Sequence, residues 1–553
     1  MSQINVKSEE ELNKKIAQIE DDRLEDVAKK VAEDTGNKYL SLRFFPVDNK
    51  VLALVDEKIA KDAQVAAIAK ISMAVTLAVQ DPENELTKHV IEVLKKKGFT
   101  VHIVVVSAHS LERVWERYNI ERKIDDMQQG IMNINEEEIT SFQAKIRDIG
   151  DLKDQIVSLP ITNVLNALIA GALNIGASDV HFEPQEKQIR LRYRLDGVLT
   201  DVVSFSISGY PSLLSRIKLQ SGLKINIHQS PQDGRFTIRL HNKDIEVRVS
   251  ILPGTYGENI VMRILDPSSI RQQLEDLGMR EDTLELVKKL LARTSGTILT
   301  TGPTGSGKTT TLYAFVQKLN TTDVKVITIE DPVEYHIQGI SQTQVSESAG
   351  YTFAEGLRSI VRQDPDVILV GEIRDKETAE IAMQAALTGH LVLSTLHTND
   401  AAGTVPRLID LGVKPVTIGP ALHAAMAQRL VRRLCDHCKK KEKIHPEDFA
   451  VMNKHLSKLQ PTVEAPPFSE SSELYYPGAC NQCHQTGYRG RIGVFEVFEV
   501  DDDMQKLILK SPALAEVKEM AVEKGLTTLL QDAFIKVALG RTSFEEVMRV
   551  IGE

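Results

Sequence analysis

A chain of 553 residues has room for about three to four domains. Its hydrophobic share of 42% and charged share of 26% are ordinary for a soluble globular protein. A formal net charge of −10 argues against a molecule that coats nucleic acid through uniform positive charge. The amino terminus carries charges where a secretory leader needs an apolar core, so no signal peptide is expected. No apolar run reaches the ~18 residues of a helical membrane span; the nearest, residues 65–79, is interrupted by Lys70. All four cysteines fall into two C-x-x-C pairs, a pattern that argues against an oxidised extracellular scaffold. The expectation is a cytosolic enzyme, with any membrane role exercised through a partner.

Residues 1–124 read as a separate α/β domain. Helical spacing runs over 11–33, strands are expected at 39–45, 51–55, 75–79 and 101–106, and a helix follows Asp81-Pro. Trp115, the only tryptophan, falls on the apolar face of a short helix and reads as core. No catalytic constellation is present, which leaves partner docking as the default role. Residues 125–155 are polar and acid-rich and read as a linker. A second α/β domain is expected at 156–268, opening with a helix at 161–170. Its strands carry Arg190, Arg192, Arg194, Arg239, Arg248 and Arg263. Alternation places such sets on one sheet face, which is either a solvated face or a ligand-facing one.

The segment Gly296–Thr310 has the order strand, loop, helix. From Gly302 the spacing is G-x-x-x-x-G-K-T, the phosphate-binding loop. The nucleotide-binding residues expected here are Gly302, Pro303, Thr304, Gly305, Ser306, Gly307, Lys308, Thr309 and Thr310. Glycines let successive N–H groups converge on phosphate oxygens, Lys308 supplies charge to them, and Thr309 offers a hydroxyl to Mg²⁺. The following helix points its positive dipole end at the same place. Two later apolar strands end in acids, at Glu330-Asp331-Pro332-Val333-Glu334 and at Gly371-Glu372. Strands alternating with helices imply a mostly parallel sheet, and acids at strand ends face its ligand crevice. Glu372 is therefore the expected water-positioning base. Gly371 stands where an aspartate commonly precedes that glutamate, so Mg²⁺ is expected to use Thr309, waters and an acid among Glu330, Asp331 and Glu334.

Four stretches together resemble the secretion ATPases of type II secretion and type IV pilus assembly. They are Gly302-Pro-Thr-Gly-Ser-Gly-Lys-Thr309, Ile329-Glu-Asp-Pro-Val-Glu334, residues 362–375 around Val-Gly-Glu372, and Thr388-Gly-His-Leu-Val-Leu-Ser-Thr-Leu-His-Thr398. The resemblance implies that these are the Walker A, aspartate box, Walker B and histidine box motifs. It takes in Ala177-Ser-Asp-Val-His-Phe-Glu-Pro184 and Pro231-Gln-Asp-Gly-Arg235 upstream, and Gly487-Tyr-Arg-Gly-Arg-Ile-Gly493 downstream. It implies a RecA-like P-loop NTPase core at 269–430, preceded by the arginine-bearing domain and followed at 431–553 by a zinc-binding and helical region. By resemblance Glu372 is the catalytic glutamate, His390 and His397 face the nucleotide, and Arg248 and Arg263 reach the γ-phosphate when the second domain closes. Asn259 stands where the family usually has arginine, and Ile227-His-Gln-Ser replaces a more basic run.

Cys435, Cys438, Cys480 and Cys483 offer four thiolates in two knuckles, which suits tetrahedral Zn²⁺ in a closed structural site. The 41 residues between the pairs exceed the common ribbon spacing, and two free redox pairs are the alternative. The assembly motors of the resembled family carry such a tetracysteine. Arg432-Arg433 and the lysines at 439–443 form a local basic patch, either a solvated loop or a contact for an acidic partner or lipid. Helices are expected at 514–524, 529–539 and 544–551. By resemblance, the expected protein is a cytoplasmic, ATP- and Mg²⁺-dependent homohexameric motor at the inner face of the cytoplasmic membrane. It would act on an inner-membrane platform protein and a cytoplasmic-face adaptor protein, with no nucleic acid. A retraction motor, a nucleic-acid translocase with the same core, and a nucleotide-gated scaffold are the rival readings. Retraction motors generally lack the tetracysteine and the long first domain. Some relatives bind cyclic di-GMP through Arg-Leu-Gly repeats; residues 1–120 contain none, so a protein partner is expected there.

Overall fold

The computed structural model describes residues 23–42, 45, 47, 49–115, 118, 130–133, 161–240, 243–266 and 272–552. The chain divides into two units, Met1–Asn133 and Ile134–Glu553. Most of the predicted linker, and the predicted helix before residue 23, lie outside the described residues.

In the first unit the strands run in the order Lys38–Tyr39, Thr100–Val105, Ala74–Val79, Val65–Ile71. The apolar run at 65–79 is a β-hairpin, with Ser72 at φ 55° in its turn. The helix Glu85–Lys96 starts at Asn84, whose side chain accepts from the Leu86 N–H at 2.9 Å, and buries Val90, Ile91 and Leu94. Of the strand expected at 39–45, the described residues show only Lys38–Tyr39; residues 40–42 and 45 are not strand, and 43 and 44 lie outside the described residues. Residues 51–55 form no strand: Asn49–Leu52 is a helical turn. A five-residue apolar run fits either period, and here burial of Val51 and Leu52 decides for the helix. Trp115 is part-buried against this core and its indole N–H donates to the Val65 carbonyl at 3.0 Å.

In the second unit an antiparallel sheet runs Gln232–Leu240, Lys243–Gly254, Gly257–Leu265, Asp179–Pro184, Gln188–Leu195, Val198–Ser206. The helices Ile161–Ile175 and Tyr210–Gln220 belong to this sheet's region. Along Gln188–Leu195 apolar side chains are buried and arginines alternate with them. Those three are neutralised on the sheet, Arg190 by Asp201, Arg192 by Glu183 and Arg194 by Asp179, and so is Arg239 of Gln232–Leu240, by Asp244.

The core sheet runs Ser341–Gln344, Val326–Glu330, Val367–Val370, Leu391–Leu396, Gly296–Thr301, Leu422–Leu434, Tyr488–Glu499. All neighbours are parallel except the last pair. Gly296–Thr301, Val326–Glu330, Val367–Val370 and Leu391–Leu396 are buried along their whole length, as a sheet covered on both faces requires. The last strand was not expected. Tyr488–Glu499 lies beyond the cysteines yet enters the core sheet, so the sheet crosses the boundary drawn at residue 430. The helices Leu514–Glu523, Leu529–Ala538 and Phe544–Val550 agree with the expected spans within a residue at each end. Asp532 ties them to that strand: it accepts from the Phe495 N–H and from Arg280, each at 2.8 Å, and pairs with the buried Lys536. No helix among the described residues is long and apolar enough to cross a membrane.

Candidate active site

Parallel pairing brings the strand ends together. Thr300 is level with Thr395, and Val370 with Ser394, so the phosphate loop, Glu372 and His397 emerge side by side. Cross-strand side chains fix the level: Thr395 Oγ1 donates to the Gly371 carbonyl at 2.8 Å and Ser394 Oγ to the Val370 carbonyl at 2.7 Å. The helix Lys308–Leu319 begins at Gly307, which has φ 89°. A Cβ there would sit 2.7 Å from Gln428 Nε2, and one at Gly302 would sit 2.6 Å from the Gln428 carbonyl. Backbone conformation and close approach of the 422–434 strand therefore both demand glycine.

These elements wall a cavity of about 510 Å³, within the ~300–1,000 Å³ usual for small-molecule sites. Thr304, Gly305, Ser306, Gly307, Lys308, Thr309 and Thr310 line one side; Glu330, Asp331, Glu334, Glu372 and His397 line another; Arg263 joins from the antiparallel sheet. Lys308 Nζ donates to the carbonyls of Gly302 and Pro303 at 2.7 and 3.1 Å, which centres the ammonium in the loop. Burial lowers its pKa, and the Glu372 charge pulls the other way. Glu372 is largely buried, 3.2 Å from His397 Nε2 through one oxygen and paired with Arg374 through the other. Thr309 is exposed to the cavity, and its hydroxyl with the Asp331 carboxylate is an oxygen donor set of the kind Mg²⁺ takes.

Two expectations are corrected. His390 does not line the cavity. It stands at the start of the strand Leu391–Leu396 whose far end carries His397, and its Nδ1 lies 2.9 Å from the Ala385 carbonyl. Six strand residues separate the two histidines, about 20 Å of chain, so they cannot face one phosphate. Glu330 touches the cavity, but its carboxylate is buried and already accepts from Tyr313, from Thr328 at 2.5 Å and from Gln342 at 3.3 Å. It anchors Tyr313 and has little capacity left for a cation. Arg248, expected to reach the γ-phosphate only when its domain closes, here lies outside the cavity wall, its guanidinium donating to Glu334 at 2.9 Å and to the Val333 carbonyl at 2.7 Å. Arg263 is more exposed and is oriented by Asp179 at 2.9 Å.

Two further arginines line the cavity beyond those expected from the sequence. Arg374 pairs with Glu372, and Arg491 comes from the unexpected strand Tyr488–Glu499. The Arg-Gly-Arg run at 489–491 was the available signal, but only the fold carries it back to the phosphate loop.

The four cysteine sulfurs lie within 4.8 Å of one another, with Cys435–Cys480, Cys438–Cys483 and Cys480–Cys483 at 3.8, 3.7 and 3.6 Å. Four sulfurs at ~2.3 Å from a tetrahedral zinc stand about 3.8 Å apart, so the donor set fits that ion. The Gly487 N–H also donates to Cys483 Sγ at 3.3 Å, the outer contact such sites use to orient a thiolate. The neighbouring basic patch is mostly neutralised within the fold. Arg432 pairs with the buried Glu546 at 2.8 Å and lies 3.9 Å over the Tyr488 ring; Arg433 and Lys439 share Asp436, and Lys441 pairs with Glu473.

Comparison with known proteins agrees with this geometry. Residues 154–549 match the family described as Type II/IV secretion system protein. The type II secretion system ATPase E of Vibrio cholerae is 44% identical over 403 residues, covering 73% of this chain and 78% of that protein. The type IV pilus assembly ATPase PilB of Myxococcus xanthus is 36% identical over 538 residues, 97% of this chain and 92% of that protein. Among solved structures, the Legionella pneumophila ATPase DotB has the same fold over 70% of this chain and 95% of its own, with TM-score 0.50 and 20% identity. A phosphate loop facing a strand-end glutamate, a matched family over most of the length and relatives of this identity lead to one conclusion: the chain belongs to the Type II/IV secretion system protein family.

Proposed function

We propose that this chain is the ATPase motor of a type IV pilus assembly or type II secretion machine, working as a homohexamer on an inner-membrane platform protein. The observation that carries the reading is the convergence of the phosphate loop, Glu372 and Arg263 on one cavity. ATP hydrolysis is the activity of the family's relatives named above, and the residues here suit it. Loop amides and Lys308 bind the phosphates. Glu372 orients the attacking water and takes its proton, with His397 and Arg374 fixing the carboxylate. Bound Mg²⁺, held by Thr309 and Asp331, would neutralise phosphate charge. Arginines that meet the γ-phosphate are worth up to ~10³–10⁵ in rate, and this is the role proposed for Arg263, which lines the cavity. Arg248 needs to exchange Glu334 for phosphate, so its engagement requires the antiparallel sheet to move.

In this reading 1–124 docks a protein partner such as a cytoplasmic-face adaptor, 125–155 links it, 156–268 supplies the arginines, 269–430 is the core, and 431–553 holds structural zinc. The protein works in the cytoplasm at the membrane's inner face and reaches the bilayer only through partners. Assembly or secretion is favoured over retraction by the tetracysteine geometry and the extra first domain. Steady-state ATPase, alone and with a platform-protein fragment or DNA, tests this. Turnover raised by the fragment supports it, stimulation by DNA alone favours a translocase, and absence of turnover favours a scaffold. Lys308→Ala is expected to abolish nucleotide binding.

A further inference from the structure

The second cysteine pair heads a tightly wound loop. His484 and Gln485 take φ of 49° and 63°. The Gly487 carbonyl accepts from the Cys435 N–H at 2.9 Å, while its own N–H meets Cys483 Sγ. Tyr488 is fixed by Ser543 at 2.7 Å and by the Arg432 guanidinium over its ring. The cysteine cluster thus clamps the root of the loop.

The strand Tyr488–Glu499 begins directly after the loop, and its third residue, where the pairing register shifts, reaches the antiparallel sheet. The Gly490 N–H donates to Asp196 Oδ2 at 2.9 Å. Asp196 and Gly197, at φ 48° and 87°, form the two-residue turn between Gln188–Leu195 and Val198–Ser206. Beside this bond the two parts enclose a cavity of about 300 Å³ bordered by Asn174, Asp196, Cys483 and Arg489. From the turn an ion-pair chain leads inward. Arg194 donates to the Gly197 carbonyl at 3.1 Å and pairs with Asp179 at 3.2 Å, and Asp179 holds Arg263 at the nucleotide cavity. In the other direction, the residue after Gly490 is Arg491, which lines the same cavity.

We propose that Asp196 is a positioning residue: a latch through which the tetracysteine loop sets the antiparallel sheet, and with it Arg263, against the nucleotide cavity. The latch rests on the ATPase reading above, and it gives the metal cluster a role beyond local folding. With the four thiolates tied to one ion, the loop is a strut of fixed length between the cavity wall and the sheet. With the cluster loosened, the strand end Tyr488–Gly490 loses its anchor on Cys435 and Cys483 and the Gly490–Asp196 bond weakens.

Two substitutions separate the latch from the turn. Asp196→Gly keeps the positive φ and removes the acceptor, whereas Asp196→Asn keeps both. Full-length protein is assayed by amide hydrogen exchange over 486–492, by kcat and KM for ATP, and by metal content. Asp196→Gly is expected to speed exchange at Gly490 about tenfold and to lower kcat about three- to tenfold, with KM and metal content unchanged. Asp196→Asn is expected to stay within about twofold of wild type in both readouts. Chelation of the wild type's metal is expected to speed exchange at Gly490 as Asp196→Gly does. Wild-type exchange and kcat in Asp196→Gly would overturn the latch, as would an Asp196→Asn protein as impaired as Asp196→Gly. So would exchange at Gly490 that ignores chelation. A wild-type protein without ATP turnover would instead overturn the ATPase reading, and the exchange comparison would still stand.

Discussion

Glu372→Gln removes a charge and a proton acceptor while keeping the side chain's shape. Its one remaining oxygen can still accept from Arg374 or His397, which now hold the two carboxylate oxygens. The binding end is left in place, because Lys308 is held by the carbonyls of Gly302 and Pro303 and not by Glu372. Losing the nearby negative charge pushes the already lowered Lys308 pKa down further, a modest effect against phosphate charges that favour the ammonium. General-base catalysis contributes about 10²–10⁴-fold, so kcat is expected to fall by that factor, about 2.7–5.4 kcal/mol at ~1.36 kcal/mol per decade. KM is expected to stay within about threefold, since an interaction made only in the transition state is being removed. Phosphate release across an ATP series, with equilibrium binding of a fluorescent nucleotide, reads both. A kcat within about tenfold of wild type, or a loss of binding that matches the loss of turnover, would refute Glu372 as the base.

Metal analysis is expected to find one zinc per chain; under half an equivalent, with four titratable thiols, would count against the closed tetrahedral site. Burial raises the folded-state pKa of Glu496 above its unfolded value near 4.5, so the native state holds the extra proton in between. Stability relative to Glu496→Gln should therefore decline as pH rises from about 4.5 through the raised value; urea midpoints that move in parallel between pH 5 and 8 would refute this. Asp532→Ala leaves Lys536 buried without its partner and is expected to cost about 3–5 kcal/mol in denaturant unfolding; a loss under about 1 kcal/mol would show that the helices do not depend on that carboxylate. Deleting residues 1–120 is expected to leave basal ATPase largely intact and abolish pilus assembly or export; normal extension or export, or a block of retraction alone, would reverse the assigned direction.

The nucleotide-binding half of the site was legible because its signal is local. G-x-x-x-x-G-K-T after a β-branched strand and before a helix specifies its own backbone, and a parallel sheet of wholly buried strands leaves strand-end acids one place to go. The C-terminal helices were legible from their periodicity and the glycines that end them. Short apolar runs such as 51–55 were not, since they fit both periods and tertiary burial chooses between them. The role of each arginine was likewise hidden, because neutralisation depends on partners far along the chain: Asp179 for Arg263 and Glu334 for Arg248. Sequence placed His390 with His397 by motif, while the strand between them puts them at opposite ends. Above all, only the tertiary structure returned Tyr488–Glu499 to the core sheet. Pairing with Leu422–Leu434 is set by main-chain hydrogen bonds across about fifty intervening residues, which no local pattern encodes, and it is that pairing which brings Arg491 to the phosphate loop and Gly490 to Asp196.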